Sequence, residues 1–254
     1  MSQQVLVDRD LEFRGAAKYQ PNVKGPLMTE LKIFDETFMA DAAQQDWNEQ
    51  ETGCTIAHAA VDGGAETITG DNTAVDDLGE LSHTAQWSAA YNCGVEFKIK
   101  VSQITDICVC AGFVDAKEAT NDHVAGELNS AAALRDPTVT ADAALFVFDR
   151  DCATTAWYVA AINNNSIGTP VVAVGSVAPV ANTYFKVRIQ TDSDGNCTFY
   201  YGAGNSNNLT AVGYLPTAIA YATTNLLTPY VGFLCRVKGT QLATISRITT
   251  WQDN

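Results

Sequence analysis

The stretch Tyr184–Gly202, YFKVRIQTDSDGNCTFYYG, decides the fold. Phe185, Val187 and Ile189 alternate with Lys186, Arg188 and Gln190, the period of two that marks a strand with one buried face. Asp192-Ser193-Asp194-Gly195 then supplies turn residues, including a glycine free to take positive φ. Cys197, Phe199 and Tyr201 alternate with Thr198 and Tyr200 on the way back. The spacing predicts a hairpin whose apolar face another layer must cover.

The same period recurs at Gly94–Ser102, where Val95, Phe97, Ile99 and Val101 face one way and Glu96, Lys98 and Lys100 the other. Residues 106–114 (DICVCAGFV) and 230–237 are apolar on both faces, as central strands covered on both sides must be. Shorter strands are expected at 33–38, 54–61, 66–69, 81–87, 144–149 and 156–162. Another is expected at 170–174, placed on an edge by its leading proline. Trp47 marks a covered loop. Leu242–Trp251 closes the chain, and its broken alternation predicts a bulge. One short helix is expected within 121–134, capped by Asn121 or Asp122, and 203–228 reads as a long loop of low charge.

A dozen short strands without strand–helix alternation predict an all-β domain over 32–254, built as two packed antiparallel sheets. Val95, Phe97, Ile99, Val187, Ile189, Val231 and Phe233 should share one core. Residues 1–31 differ: Gly15, Pro21, Gly25 and Pro26 interrupt them, and apolar residues are sparse. This segment is expected to be an extended arm that orders on a neighbouring copy or partner, through Leu6, Arg9, Leu11, Phe13, Arg14 and Lys18.

The net charge is −14 over 254 residues. An acidic surface disfavours nucleic acid and anionic membranes, both of which are recognised through Lys and Arg. The N-terminus lacks a basic stretch followed by an apolar core, so no secretory signal is visible and synthesis in the cytoplasm is expected. Seven cysteines with scattered spacing are expected to be reduced thiols acting as small hydrophobes.

Four segments, ALFVFDRD, YFKVRIQTDSDGNCTFYYG, LLTPYVGFLCRV and ATISRITTWQD, together resemble the concanavalin A-like, laminin-G-like jelly-roll sandwich. The chain also resembles virion proteins of tailed phages, capsid decoration proteins among them. That second resemblance implies a structural virion protein without catalysis, decorating or cementing a phage capsid. Its partner would be the major capsid protein or another virion protein, and it would assemble as a homo-oligomer. The alternative is a carbohydrate-binding sandwich using loop aromatics such as Trp157, Tyr214 or Tyr221. A glycan hydrolase is the third reading.

Glycosidases of this fold carry Glu-x-Asp-x-x-Glu on one strand, because the retaining reaction needs two adjacent carboxyl groups. None of the ten glutamates lies in such a run. His58, His83 and His123 lack zinc spacing, and no Cys-x-x-Cys occurs. Asp192-Ser193-Asp194-Gly195-Asn196 resembles the start of a calcium loop, but the twelfth-position glutamate is absent and a plain hairpin turn is the better account, so no cofactor is expected. Tyr200 shares the solvent-side register of Lys186 and Arg188, which suits either sugar stacking or a cross-strand aromatic–cation pair.

Overall fold

A computed structural model describes residues 31–38, 47–59, 64–118, 123–136, 139–175 and 178–253. The expected arm residues Leu6, Arg9, Leu11, Phe13, Arg14 and Lys18 lie outside the described residues. In chain order the first eight strands are β1 (Leu31–Glu36), β2 (Asn48–Thr52), β3 (Cys54–Ala59), β4 (Ala65–Gly70), β5 (Asp77–Ser82), β6 (Gly94–Val101), β7 (Ile107–Val114) and β8 (Ala143–Asp149). The next eight are β9 (Tyr158–Asn163), β10 (Ser166–Ile167), β11 (Val171–Val172), β12 (Phe185–Thr191), β13 (Cys197–Ala203), β14 (Thr210–Leu215), β15 (Thr228–Cys235) and β16 (Leu242–Asp253). One 3-10 turn, Ala89–Tyr91, is the only helical element among the described residues. None of those residues forms a helix long and apolar enough to cross a membrane.

The named strands pair antiparallel within two sheets, and Gly53 adds one isolated parallel bridge to Leu78. The first runs β14-β13-β12-β6-β16-β4-β3, with β1 added beside β16. The second runs β10-β9-β8-β7-β15-β5-β2, with β11 added beside β9. The chain is therefore an all-β jelly-roll sandwich of two antiparallel sheets. β16 is twelve residues long: β6 lies along one side, and β4 then β1 share the other. Its register slips between Ile245 and Arg247, the bulge that the sequence predicts.

Alternation builds the core between the sheets. Val95, Phe97 and Ile99 from β6 and Val187 and Ile189 from β12 meet Val231 and Phe233 from β15, all buried as expected. Phe146 sits edge-on to Phe199 at 5.3 Å between centroids, and Trp157 packs against Phe185 at 5.1 Å. Such tilted aromatic contacts favour the quadrupoles of both rings. All seven cysteines are free and buried.

The second sheet is also covered on its outer face. Cys108, Cys110, Val147, Tyr158, Tyr230 and Leu234 point away from the main core and pack under Val124, Ala125, Leu128 and Leu134 of the β7–β8 crossover. This explains why β7 and β15 are apolar on both faces. The crossover is not the expected helix: its described part, 123–136, is turns closed by a bridge between Leu128 and Leu134. Asn129 accepts the N–H groups of Ala131 and Ala133, and Ala132 takes φ +57. Asp149 accepts the Leu128 N–H, while Arg236 donates to the Leu128 carbonyl. Partners outside the segment thus take the backbone groups that a helix would pair internally. Gly126 lies so close to β7 that a Cβ there would meet Cys110 Cβ at 2.5 Å.

Three further expectations need correction, and one strand falls outside them all. The strand expected at 81–87 lies earlier, over Asp77–Ser82, and Trp87 makes only an isolated bridge to Leu227. The stretch at 170–174 pairs only over Val171–Val172, on the edge as expected. The long loop at 203–228 contains β14. β2, NEQET, has no sequence counterpart among the expected strands, because an exposed edge strand needs no apolar alternation.

Candidate functional site

Several loops gather where the β9–β10 turn meets the β14–β15 connection, and the buried Asp142 ties them together. One carboxylate oxygen accepts the N–H groups of Asn164 and Ala220, each at 3.0 Å. The other lies 3.5 Å from the Asn225 side-chain amide. Asp115 accepts the N–H groups of Ala141 and Asp142 in turn, which fixes the end of the crossover. A charge accepting several backbone N–H bonds is satisfied without a cation.

These loops border a cleft of about 330 Å³ between the edges of the two sheets. Its polar lining is Asn163, Ser166, Thr169 and Thr217, its apolar lining includes Leu215 and Pro216, and no ionisable side chain contributes. Thr217 has φ +46, a rare conformation for a β-branched residue, maintained only when the surroundings over-determine it. Two bonds do so: Asn163 Nδ2 donates to its carbonyl at 2.6 Å, and its N–H donates to Asn196 Oδ1 at 2.9 Å. The β9–β10 turn places Asn164 and Asn165 at φ +48 and +64, the left-handed pair of a tight hairpin. Strain and rigid turns therefore hold hydroxyls at the cleft mouth.

The loop aromatics separate into two kinds. Trp157, expected as a ligand contact, is 1% exposed and belongs to the core, so it is unsuited to that role. Tyr214 and Tyr221 are exposed, at 58% and 55%. Tyr221 lies against Gly195 in the β12–β13 turn, where a Cβ would meet its Cδ1 at 3.3 Å. Neither tyrosine lines the cleft. Tyr200 faces Arg188 in register, with the guanidinium 5.9 Å from the ring centroid, which is the cross-strand pair.

The calcium-like turn uses its own oxygens. Asp192 Oδ1 accepts the N–H groups of Asp194 and Asn196, and Oδ2 accepts the Asn196 amide at 2.8 Å. Among the described residues no group of three or more His, Cys, Asp or Glu side chains converges as a metal site.

The buried carboxylates serve the crossover. Glu80 is fully buried and accepts the Tyr230 hydroxyl at 2.5 Å. Burial pushes its carboxyl up to about 7. Glu118, also fully buried, accepts the N–H groups of Val139 and Thr140. Arg236 ties β15 to Asp149 and Glu127. These acids lie beneath the crossover, away from the cleft. On the other side of the sandwich, burial and the neighbouring Glu49 and Glu36 raise Glu66 to about 7.

No family model matches the chain, and no curated protein matches it. Solved structures do. A protein of unknown function from Shewanella oneidensis aligns with a TM-score of 0.58 at 10% identity, covering 91% of this chain and 90% of that one. Peanut lectin with a nine-residue peptide gives 0.57 at 15% identity, over 87% and 97%. Lectin UEA-II complexed with galactose gives 0.58 at 10% identity, over 87% and 98%. At such identities the likeness is one of fold, and the fold is the concanavalin A-like sandwich of the legume lectins.

Proposed function

We propose that this protein is a carbohydrate-binding β-sandwich module, and that a neutral saccharide occupies the cleft beside Thr217. The observation that carries this reading is the lining: hydroxyls and an amide on strained, cross-braced loops, with apolar surface beside them and no charge. Sugar rings offer the complementary pattern of hydroxyls around apolar C–H faces. The hydroxyls of Ser166, Thr169 and Thr217 have no partner among the described residues, so a ligand displaces only water. A few such bonds, each contributing about 0.5–1.5 kcal/mol net, give affinity near the millimolar range. Lectins among the solved structures of the same fold, one of them complexed with galactose, support the same reading.

The virion placement, with a capsid protein as partner, rests on sequence resemblance alone, and none of these neighbours is described as a virion protein. A binding role without catalysis fits a cleft that lacks a carboxylate pair.

A glycan array followed by calorimetry on the best neutral hit tests the proposal. Asn163→Ala should weaken that hit about tenfold by releasing Thr217. Absence of any neutral glycan hit, or unchanged affinity in Asn163→Ala, would overturn it.

A further inference from the structure

A second cleft lies on the outer face of the first sheet, and its chemistry is the opposite of the neutral one. Lys186 of β12 stands directly across from Lys98 of β6, and Lys98 directly across from Arg247 of β16. Three cations thus form one row over three neighbouring strands. Like charges directly opposite each other destabilise a sheet. Lys98 and, from a flanking row, Lys100 lie 4.9 and 5.0 Å from the Tyr184 ring centroid, while in the other flanking row Arg188 pairs with Glu96.

Among the described residues, carboxylates reach only part of this row. Glu96 serves both Arg188 and Lys186, and Asp35 holds Arg247 through two bonds of 2.8 and 2.7 Å. Among the described residues, Lys98 and Lys100 face the Tyr184 ring and no carboxylate. Five of the fifteen Lys and Arg in a chain of net charge −14 therefore gather here against two paired carboxylates. The β16 bulge inserts Ser246 at the centre, its hydroxyl 3.4 Å from the Lys98 carbonyl. Bulges re-aim side chains beside binding sites. The result is a cleft of about 210 Å³ bordered by Lys98, Lys186, Arg247, Tyr184 and Ser246. That volume suits a single substituted sugar ring.

We infer that this cleft binds a sulfate- or carboxylate-bearing saccharide, with the anionic group over the Lys186–Lys98–Arg247 row and the sugar beside Tyr184. The saccharide part rests on the carbohydrate reading above; the anion part rests on the row alone. An anion there offsets the repulsion within the row, whereas a neutral sugar leaves it.

The test measures binding of a sulfated disaccharide, its desulfated counterpart and inorganic sulfate by calorimetry on the full chain. The sulfated disaccharide should bind at least about tenfold tighter than the desulfated one. Lys98→Gln should abolish that preference while leaving the melting temperature unchanged or raised, an outcome that a purely structural lysine would not give. Equal affinity for the two disaccharides, or an unchanged preference in Lys98→Gln, would overturn the inference. Inorganic sulfate binding as tightly as the sulfated disaccharide would overturn the saccharide part. If the Lys98-dependent preference appears while no neutral glycan binds, the neutral cleft fails and this one stands.

Discussion

The outer faces of the two sheets make opposite use of the same pleated surface. The second sheet carries Cys110, Val147, Tyr230 and Leu234 outward and seals them under the crossover, with Glu80 and Glu118 buried alongside. The first carries Glu96, Lys98 and Lys186 outward, half-buried and open to water, with Arg188 buried against Glu96. One face is spent on stability and the other is left for recognition. The difference lies in which strand positions are apolar, since backbone pairing is the same in both.

Four measurements break or sharpen that contrast. The largest effect should be common to both sheets: Phe97→Ala and Phe233→Ala each remove a ring from the shared core and should cost about 3–5 kcal/mol in denaturant unfolding. A large difference between the two would show that one sheet folds apart from the other. Arg236→Met acts only on the sealed face. It leaves Asp149 buried without its cation and Glu127 with only the half-exposed Arg135, and should cost about 3 kcal/mol. A negligible cost would show that the crossover is not fastened through Arg236.

The third measurement is a stability–pH profile. Glu80 holds its proton more tightly folded, with a pKa of about 7, than unfolded, near 4.5. Its contribution is therefore complete below pH 4.5 and disappears as pH rises through about 7, by roughly 3 kcal/mol at most. Glu80→Gln should flatten that slope and make the protein more stable than the wild type at pH 8; an unchanged slope would remove Glu80 as its source. The smallest effect belongs to the open face. Lys98→Gln should leave stability unchanged or raise it by less than about 1 kcal/mol, and a clear loss would mean that Lys98 supports the sheet.

The legible parts of the fold were those whose side chains alternate. β6 and the β12–β13 hairpin could be read because one face meets the core and the other meets water. The bulge in β16 could be read because Ser246 interrupts that alternation. β2 could not, since an exposed edge strand carries no apolar pattern, and neither could the crossover, whose hydrogen bonds go to Asp149 and Arg236 far along the chain. Of the expected loop aromatics, Tyr221 is exposed in a loop, whereas Tyr214 is exposed on the edge strand β14. Trp157 is not, because residue type alone does not distinguish the inward side of a hairpin end from a loop. Thr217 carried no sequence signal: its left-handed backbone is imposed by Asn163 and Asn196. Lys98 and Lys186 each read as solvent-facing, but only the register sets them side by side with Arg247.

β16 follows every other strand in the chain, yet it lies in the interior of the first sheet and touches β6, β4 and β1. During synthesis those three neighbours emerge long before the strand that joins them, so their open edges must wait. Vectorial folding can complete the β12–β13 hairpin early, but it cannot close the sheet until residue 253 is clear of the ribosome. Such distant pairing slows folding and prolongs exposure of unpaired edges. A nascent chain of this protein is thus most vulnerable to aggregation just before its closing strand arrives.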